Sequence, residues 1–322
     1  MEVNKHNKNI WMFWHDSNNL RDPLTEMCYN SWVNNYPDYT VNMVNMQNVR
    51  DLLDSDIFDP LVKNIRRARF GKTMTSICDL FRVLLIHKYG GIYVDVDVLS
   101  IRRAPEFLLE REFFNIYKGK IFKQSHTPDT LTNEQFLSHI KIPQNWMLKA
   151  NADTYIVNRY QQEMIEFCTN YNQNRRSVDY RDGCGGYFFG GNMLKVLCKK
   201  DDKFCTEMKK LMLSSSPGHL QSKKWLFFRN KEAKKYNSLT EQERQYIESG
   251  NLHHTLKLGG CKCPGGLSKN EKTDFFNKHV FISDTIISKI RELYVKSMVM
   301  FTGISSVVSL EKEHTVLKFY CE

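Results

Sequence analysis

The sequence predicts an α/β fold, a mostly parallel central sheet flanked by helices, with a helical and loop insertion in the C-terminal half. Three observations carry this expectation. Short apolar runs alternate in order with segments of helical period. The clearest helical segment, 73–88, stops at Gly90-Gly91 and leads straight into the apolar run 92–98. That run closes on Asp95-Val96-Asp97, at the carboxyl end of a strand, where open α/β sheets bind ligands.

The elements follow in chain order. Residues 10–14 form an apolar run after a polar leader and read as a first buried strand. Asp22-Pro23 starts a helix over 23–33, with Met27, Cys28 and Trp32 on one side. Tyr36-Pro37-Asp38 is a turn, 39–46 a second strand and 49–58 a short helix. In 73–88 Met74, Ile77, Phe81, Leu84 and Leu85 repeat with helical period. In 92–98 the β-branched Ile92, Val94, Val96 and Val98 alternate with Tyr93, Asp95 and Asp97, so period two would put the last three on one face. Further on, 113–121 reads as a strand or hairpin, 125–135 as a loop, 145–150 as a short strand and 153–171 as a helix. A glycine-rich stretch, 183–191, passes into a helix over 192–199. Residues 214–278 are polar, basic and glycine-bearing, an insertion, and 279–283 and 316–320 are late strands.

A chain of 322 residues, 41% hydrophobic and 25% charged, has the composition of a soluble globular protein; it is long enough for one large α/β domain with insertions or for two domains. We expect a single domain over 1–322. No fixed-period repeat or low-complexity tract argues for a solenoid or disorder. The net charge of +10 comes with basic clusters at 63–69, 199–200, 209–210, 223–224 and 231–235. Each reads most simply as a solvated face; together they also suit an anionic ligand or surface. No zinc-finger, RNA-binding or helix-turn-helix signature supports nucleic acid. The polar N-terminus lacks the apolar core of a signal peptide, and nothing reaches the ~20 apolar residues that span a bilayer. The expected location is cytoplasmic, soluble or held at a membrane surface by the basic patches. Nine cysteines, scattered through apolar segments, suggest reduced thiols. Cys261 and Cys263 could seed a zinc site with Cys184, Cys198 or His253-His254, but the spacing is not that of paired knuckles and free thiols are the plainer reading.

The chemistry concentrates on Asp95 and Asp97. Carboxylates at the end of an apolar strand are costly unless a cation neutralises them. Hard oxygen ligands suit Mg²⁺ or Mn²⁺, which in turn hold a diphosphate. Asp79 and Arg82, three apart on the preceding helix, share a face. They read equally as a surface ion pair or as contacts to a sugar hydroxyl and a phosphate, for which a guanidinium is suited. Trp14 ends a strand and could stack on a nucleobase, whereas Trp32 reads as core. Gly183, Gly185, Gly186, Gly190 and Gly191 match no dinucleotide fingerprint, and a tight loop is the plainer reading. His253, His254 and His314 are candidates for phosphate or metal, with His314 on a C-terminal segment able to close over a site. No nucleophile elbow is present, and Gly71-Lys72-Thr73 lacks the first glycine of a P-loop.

Four blocks carry a family resemblance: Ile10-Trp11-Met12-Phe13-Trp14; Cys28-Tyr29-Asn30-Ser31-Trp32 through Tyr39; Cys78-Asp79-Leu80-Phe81-Arg82 through Gly90-Gly91-Ile92-Tyr93-Val94-Asp95-Val96-Asp97; and Asn145 to Ala150. In them the chain resembles the capsular polysaccharide synthesis proteins and the related DXD-containing sugar transferases, including the mannosyltransferase-like enzymes and, more distantly, the glucosyltransferase domains of large clostridial toxins. The likeness covers roughly the first half. It departs from the pattern at Cys78, where the family has serine.

The resemblance implies a GT-A fold, a UDP- or GDP-linked sugar donor and Mn²⁺ or Mg²⁺. It implies a nucleotide-sugar-binding half over 1–125 and an acceptor-binding half over 126–322. Trp14 would stack on the base, Asp79 and Arg82 would hold the donor sugar, and Tyr93 and Asn145 would lie against the donor. Asp95 and Asp97 would serve ribose, sugar and metal; His314 is a further metal candidate by its place near the C-terminus and not by the resemblance. The expected reaction is transfer of a sugar to a hydroxyl of a glycan, polysaccharide or glycoprotein, with retention by analogy, and Asp95, Asp97 and Arg82 as the catalytic groups. Two alternatives stay open: a non-catalytic binder of anionic polymers or nucleic acid on the same fold, and a metal-dependent nucleotidyltransferase.

Overall fold

A computed structural model describes residues 7–14, 23–67, 73–100, 103–104, 106–118, 132–139, 142–174, 176–180, 189–213, 228–229, 232–233, 241 and 255–257. In chain order the elements are β1 (Asn9–Phe13), α1 (Pro23–Asn35), β2 (Thr40–Val44), α2 (Val49–Leu52), α3 (Ser55–Arg67), α4 (Thr73–Tyr89) and β3 (Gly91–Asp95). There follow β4 (Val98–Ser100), α5 (Glu106–Leu109), β5 (Phe113–Lys118), α6 (Asn133–His139), β6 (Ile142–Ala150), α7 (Tyr155–Thr169) and α8 (Tyr171–Asn174). The last are α9 (Phe189–Lys200), α10 (Asp202–Leu213), β7 (Phe228–Arg229), β8 (Glu232–Ala233) and β9 (Thr255–Lys257). They fall in two compact units, one of Met1–Ser17, Pro37–Asp95 and Pro105–Ser216, the other of Asn18–Tyr36, Val96–Ala104 and Pro217–Glu322.

The first unit is built on a five-stranded sheet in the order β2-β1-β3-β6-β5. β1 pairs in parallel with both β2 and β3, while β6 is antiparallel to β3 and to β5. Four strands therefore run one way and β6 opposes them, so the expected α/β class with a mostly parallel sheet is the observed one. Every residue of β1 is buried, as are Gly91 to Val94 of β3. A strand covered on both faces needs a continuous apolar run, which Ile10 to Phe13 and Ile92 to Val94 supply. Helix α4 packs on β1, β3 and β6, α9 on β6 and α10 on β5. Their shared core includes Trp11, Phe58, Phe81, Tyr93, Leu148, Phe167 and Phe189.

The junction of α4 and β3 is where the backbone is most constrained. Gly90 has φ +61°, and its N–H donates to the Ile86 carbonyl at 2.8 Å, the left-handed helix stop. Gly91 follows at φ +102°, and a Cβ there would run into the Asn9 carbonyl. Two glycines are thus needed to end the helix and bring the chain against β1 within two residues.

Several boundaries differ from the expectations. The run 92–98 is not one strand: β3 ends at Asp95, Val96-Asp97 form a turn, and β4 begins at Val98. The period-two argument that put Asp97 on the face of Tyr93 and Asp95 stops where the strand stops. The helix expected over 49–58 is two, because Leu53 is extended and the Asp54 side chain accepts from the Asp56 N–H at 3.0 Å, opening α3. Residues 132–135 are not loop throughout. The Thr132 hydroxyl accepts from the Gln135 N–H at 3.2 Å and the Gln135 side chain accepts from the Thr132 N–H at 2.9 Å, a reciprocal box that starts α6. Helix α9 begins at Phe189, so Gly190 and Gly191 are buried helical residues rather than a loop. Helix α10, which sequence reading did not anticipate, is capped by Asp201, whose carboxylate accepts from the Phe204 N–H at 2.9 Å. The insertion at 214–278 is described only at β7, β8, β9 and residue 241, and the strands expected at 279–283 and 316–320 lie outside the described residues.

In the second unit β4 pairs antiparallel with β9, and β7 with β8. Helix α1 lies against β4 and buries Cys28, Trp32 and, just past its end, Tyr36.

Candidate functional site

The sheet presents Asp95 at the carboxyl end of β3, beside Phe13 at the end of β1. Its side chain is one quarter exposed (25%). Behind it lies Arg82, which α4 carries toward the same strand end; the guanidinium is almost wholly buried (4% exposed). Its Nη2 makes an ion pair with Asp79 Oδ1 at 2.8 Å and stands 3.6 Å from Asp95 Oδ1. Its Nε donates to the Cys78 carbonyl at 3.3 Å, and its plane lies over the Tyr93 ring at 4.5 Å. The Tyr93 hydroxyl donates to Asp95 Oδ1 at 3.2 Å. Asp79, 1% exposed, uses its other oxygen to accept from the Gly190 N–H at 2.9 Å.

These contacts explain each other's charge. Burial by itself works against the Arg82 cation, but the face of the Tyr93 ring and the Asp79 and Asp95 carboxylates more than offset it and hold the guanidinium above its ordinary value. Burial also pushes the Tyr93 phenol well up, against the pull of Arg82, so the hydroxyl stays protonated and donates to Asp95. Burial raises the Cys78 thiol too, against the pull of Arg82, so it stays protonated. The cluster is one permanently charged guanidinium shared by two carboxylates of unequal access: Asp79 sealed in, Asp95 facing outward.

The other expected residues fall as follows. Trp14 is partly exposed just past β1, its backbone N–H donating to the Val44 carbonyl at 2.8 Å. Asn145 lies in β6, two residues beyond the last β3–β6 pair, Val94 with Met147, in the direction in which β3 runs on to Asp95. Asp97 occupies the turn after β3 and is partly exposed. His314, His253, His254, Cys184, Cys261, Cys263 and Gly183 to Gly186 lie outside the described residues. Among the described residues no three His, Cys, Asp or Glu side chains group so as to hold an ion. Lys63, Arg66 and Arg67 are exposed on α3, the solvated face expected of them.

Two features escaped sequence reading. One is Gly190: a first-turn helical N–H without an intrahelical acceptor finds Asp79, and its carbonyl accepts from the buried Tyr160 hydroxyl at 2.7 Å. The glycine-rich composition was the only signal for it. The other is α1, where Trp32 reads as core but also makes a polar contact, its Nε1–H donating to the Val98 carbonyl at 2.8 Å.

The chain belongs to the capsular polysaccharide synthesis protein family, whose model matches residues 1–249. It is similar to the O-glycosyltransferase braB of Annulohypoxylon truncatum, at 29% identity over 106 residues, 31% of this chain. That stretch is 25% of the relative's length, so the chain spans about a quarter of it. Among solved structures it is similar to the PaToxG glycosyltransferase, at 12% identity and a TM-score of 0.34, over 67% of this chain and 83% of that one. Among the described residues no helix is long and apolar enough to cross a membrane.

Proposed function

We propose that this protein is a metal-dependent glycosyltransferase of the GT-A type. It moves a sugar from a UDP- or GDP-linked donor to a hydroxyl of a glycan, polysaccharide or glycoprotein acceptor. The observation that carries the reading is the cluster at the end of β3: a buried arginine compensated by one sealed carboxylate and directed at a second, accessible one. Such a guanidinium is rigid and desolvated, so a charge developing near it is stabilised without reorganisation. Family membership and the O-glycosyltransferase name of one relative support the same reading.

In this reading the donor's sugar and phosphates lie over Asp95 and Arg82, with Trp14 against the base and Asn145 alongside. Asp79 keeps Arg82 oriented, and the Tyr93 hydroxyl fixes one oxygen of Asp95. Among the described residues no third side chain joins the two aspartates, which fits a cation that arrives with its diphosphate, as Mg²⁺ does at phosphate-transfer sites, better than an ion caged by the protein. Asp95 and Asp97 would be its protein ligands, with His314 as a candidate third. When bound, the cation supplies charge neutralisation for the departing diphosphate. The sugar is expected to keep its anomeric configuration.

The test is turnover of a panel of UDP-, GDP- and CMP-sugars with Mn²⁺, comparing the wild type with Asp95→Asn and Asp97→Asn. Activity confined to the wild type and dependent on Mn²⁺ is expected. Equal turnover by all three, or turnover of nucleoside triphosphates in place of nucleotide sugars, rejects it.

A further inference from the structure

The strand that follows Asp97 is held by a strand on one edge and by a helix on the other. β4 pairs with β9 along one edge, Val98 with Lys257, Leu99 with Leu256 and Ser100 with Thr255. A strand residue points its N–H and C=O to one edge, and residues two apart share that edge. Left alone, such an edge would be a row of unmet backbone groups in a buried place. Here α1 meets it with side chains. Trp32 Nε1–H donates to the Val98 carbonyl at 2.8 Å. The Ser31 hydroxyl oxygen accepts from the Ser100 N–H at 2.9 Å, and Asn35 Nδ2 donates to the Ser100 carbonyl at 3.0 Å. Asn35 also donates to the Ser100 hydroxyl at 3.0 Å. Beyond the strand, the Tyr36 hydroxyl accepts from the Ala104 N–H at 2.9 Å, and the Arg103 guanidinium lies over the Tyr36 ring at 5.5 Å.

The contacts have helical spacing. Ser31 and Asn35, and Trp32 and Tyr36, are each four apart and so stand one above the other on α1. Trp32 and Tyr36 are wholly buried and stack at 5.0 Å with their planes 24° apart, which locks both in place. Their polar atoms are therefore presented at fixed points, the Trp32 indole N–H at Val98 and the Tyr36 hydroxyl at Ala104. Ser31 in turn donates to the Cys28 carbonyl at 2.6 Å, so its acceptor lone pairs face Ser100.

We propose that Ser31, Trp32 and Asn35 are positioning residues for Asp97. Asp97 sits in the two-residue turn directly before Val98, and the direction of its carboxylate depends on where Val98 is pinned. Holding a ligand to its productive geometry requires such a supporting shell. The inference rests on the proposed role of Asp97 at a cation with its diphosphate, and it gives the Ser31-Trp32 block a purpose that core filling does not.

The experiment is titration of Mn²⁺ into the purified full chain in the presence of UDP, and separately of GDP, followed by the electron paramagnetic resonance of free Mn²⁺. Asn35→Ala and Trp32→Phe are compared with Tyr180→Phe, which also deletes a buried hydrogen bond, that of the Tyr180 hydroxyl to Glu163 Oε1 at 2.7 Å. The brace variants are expected to bind Mn²⁺ about tenfold more weakly, the fold-change one hydrogen bond is worth, and Tyr180→Phe to bind as the wild type does. Ser31→Ala should show the same weakening and Ser31→Thr, which keeps the acceptor oxygen, should restore it. If Trp32→Phe fails to fold, Asn35→Ala and the Ser31 pair carry the test. Unchanged Mn²⁺ affinity in folded Asn35→Ala and Ser31→Ala overturns the inference while leaving the functional reading standing. A wild type that binds no Mn²⁺ with either nucleotide overturns both.

Discussion

Arg82 is a cation that the fold has removed from water, and its stability is set by what surrounds it. Asp79→Asn keeps the shape but removes the sealed counter-charge, leaving the guanidinium buried with Asp95 at 3.6 Å as its nearest carboxylate. Breaking a buried pair from one side costs about 3–5 kcal/mol, so urea unfolding of Asp79→Asn should show a loss of that order. Arg82→Lys should lose stability as well, because a single ammonium cannot reach Asp79, stack on Tyr93 and face Asp95 at once. A loss under about 1 kcal/mol would show that the pair is not the keystone of this cluster. Lys149 is a second buried cation, on β6, donating to Asn151 Oδ1 at 2.6 Å and to the Arg111 carbonyl. Burial lowers it from 10.5 to about 8, with Glu112 opposing. Between those values the unfolded chain holds a proton the folded one has released, so stability rises as pH increases from about 8 to 10.5. Lys149→Met should abolish that rise, measured as unfolding free energy at pH 8 and at pH 10, where the wild type gains about 2 kcal/mol.

At the scale of elements, the α4–β3 junction decides where Asp95 stands. Gly91→Ala would meet the Asn9 carbonyl from a backbone with φ +102°, so either the parallel pairing with β1 opens or the turn rearranges. We expect a loss of about 2–4 kcal/mol, a positive-φ penalty plus a steric one, read as a lower midpoint in thermal unfolding. An unchanged midpoint would mean that β1 yields easily there. By contrast, Thr132→Ala on α6 removes only one arm of a capping box and should cost about 1 kcal/mol, without reaching Asp95. That box has a local signature, Thr-x-x-Gln, as does the Asp201 cap of α10, but neither was read from the sequence, because the surrounding polar composition obscured both. Helix α4 and strand β3 were legible because one is a long apolar stretch stopped by Gly90-Gly91 and the other is covered on both faces. The turn at Val96-Asp97 was not, since Val96 and Val98 continue the alternation of β3 and nothing local marks the break.

For the molecule as a whole, the most consequential pairing is also the most distant. β1 lies between β2 and β3, joining Phe13 to Asp95 across some eighty residues of chain. Deleting residues 1–13 removes the strand between β2 and β3 and leaves the edge that each turns to β1 without a partner. The truncated chain should lose cooperative unfolding and native far-ultraviolet dichroism rather than fray at one end; retention of a sharp transition would show the sheet closing without β1. Long-range closures of this kind are slow, so refolding of the intact chain should be limited by formation of the sheet.

The sequence alone was enough for the α/β class, the helix-glycine-strand core of the first unit and the placing of Asp95 at a strand's carboxyl end. Those features rest on local periodicity, on glycine stops and on burial of contiguous apolar runs, all of which neighbouring residues encode together. The tertiary structure decided which polar atoms meet: that Asp79 is sealed between Arg82 and Gly190, and that Ser31, Trp32 and Asn35 serve as the missing edge of β4. Partners some seventy to a hundred and ten residues apart leave no mark on one another's local pattern. A buried hydrogen-bonding group must find a partner, but its own stretch of chain does not say where that partner lies.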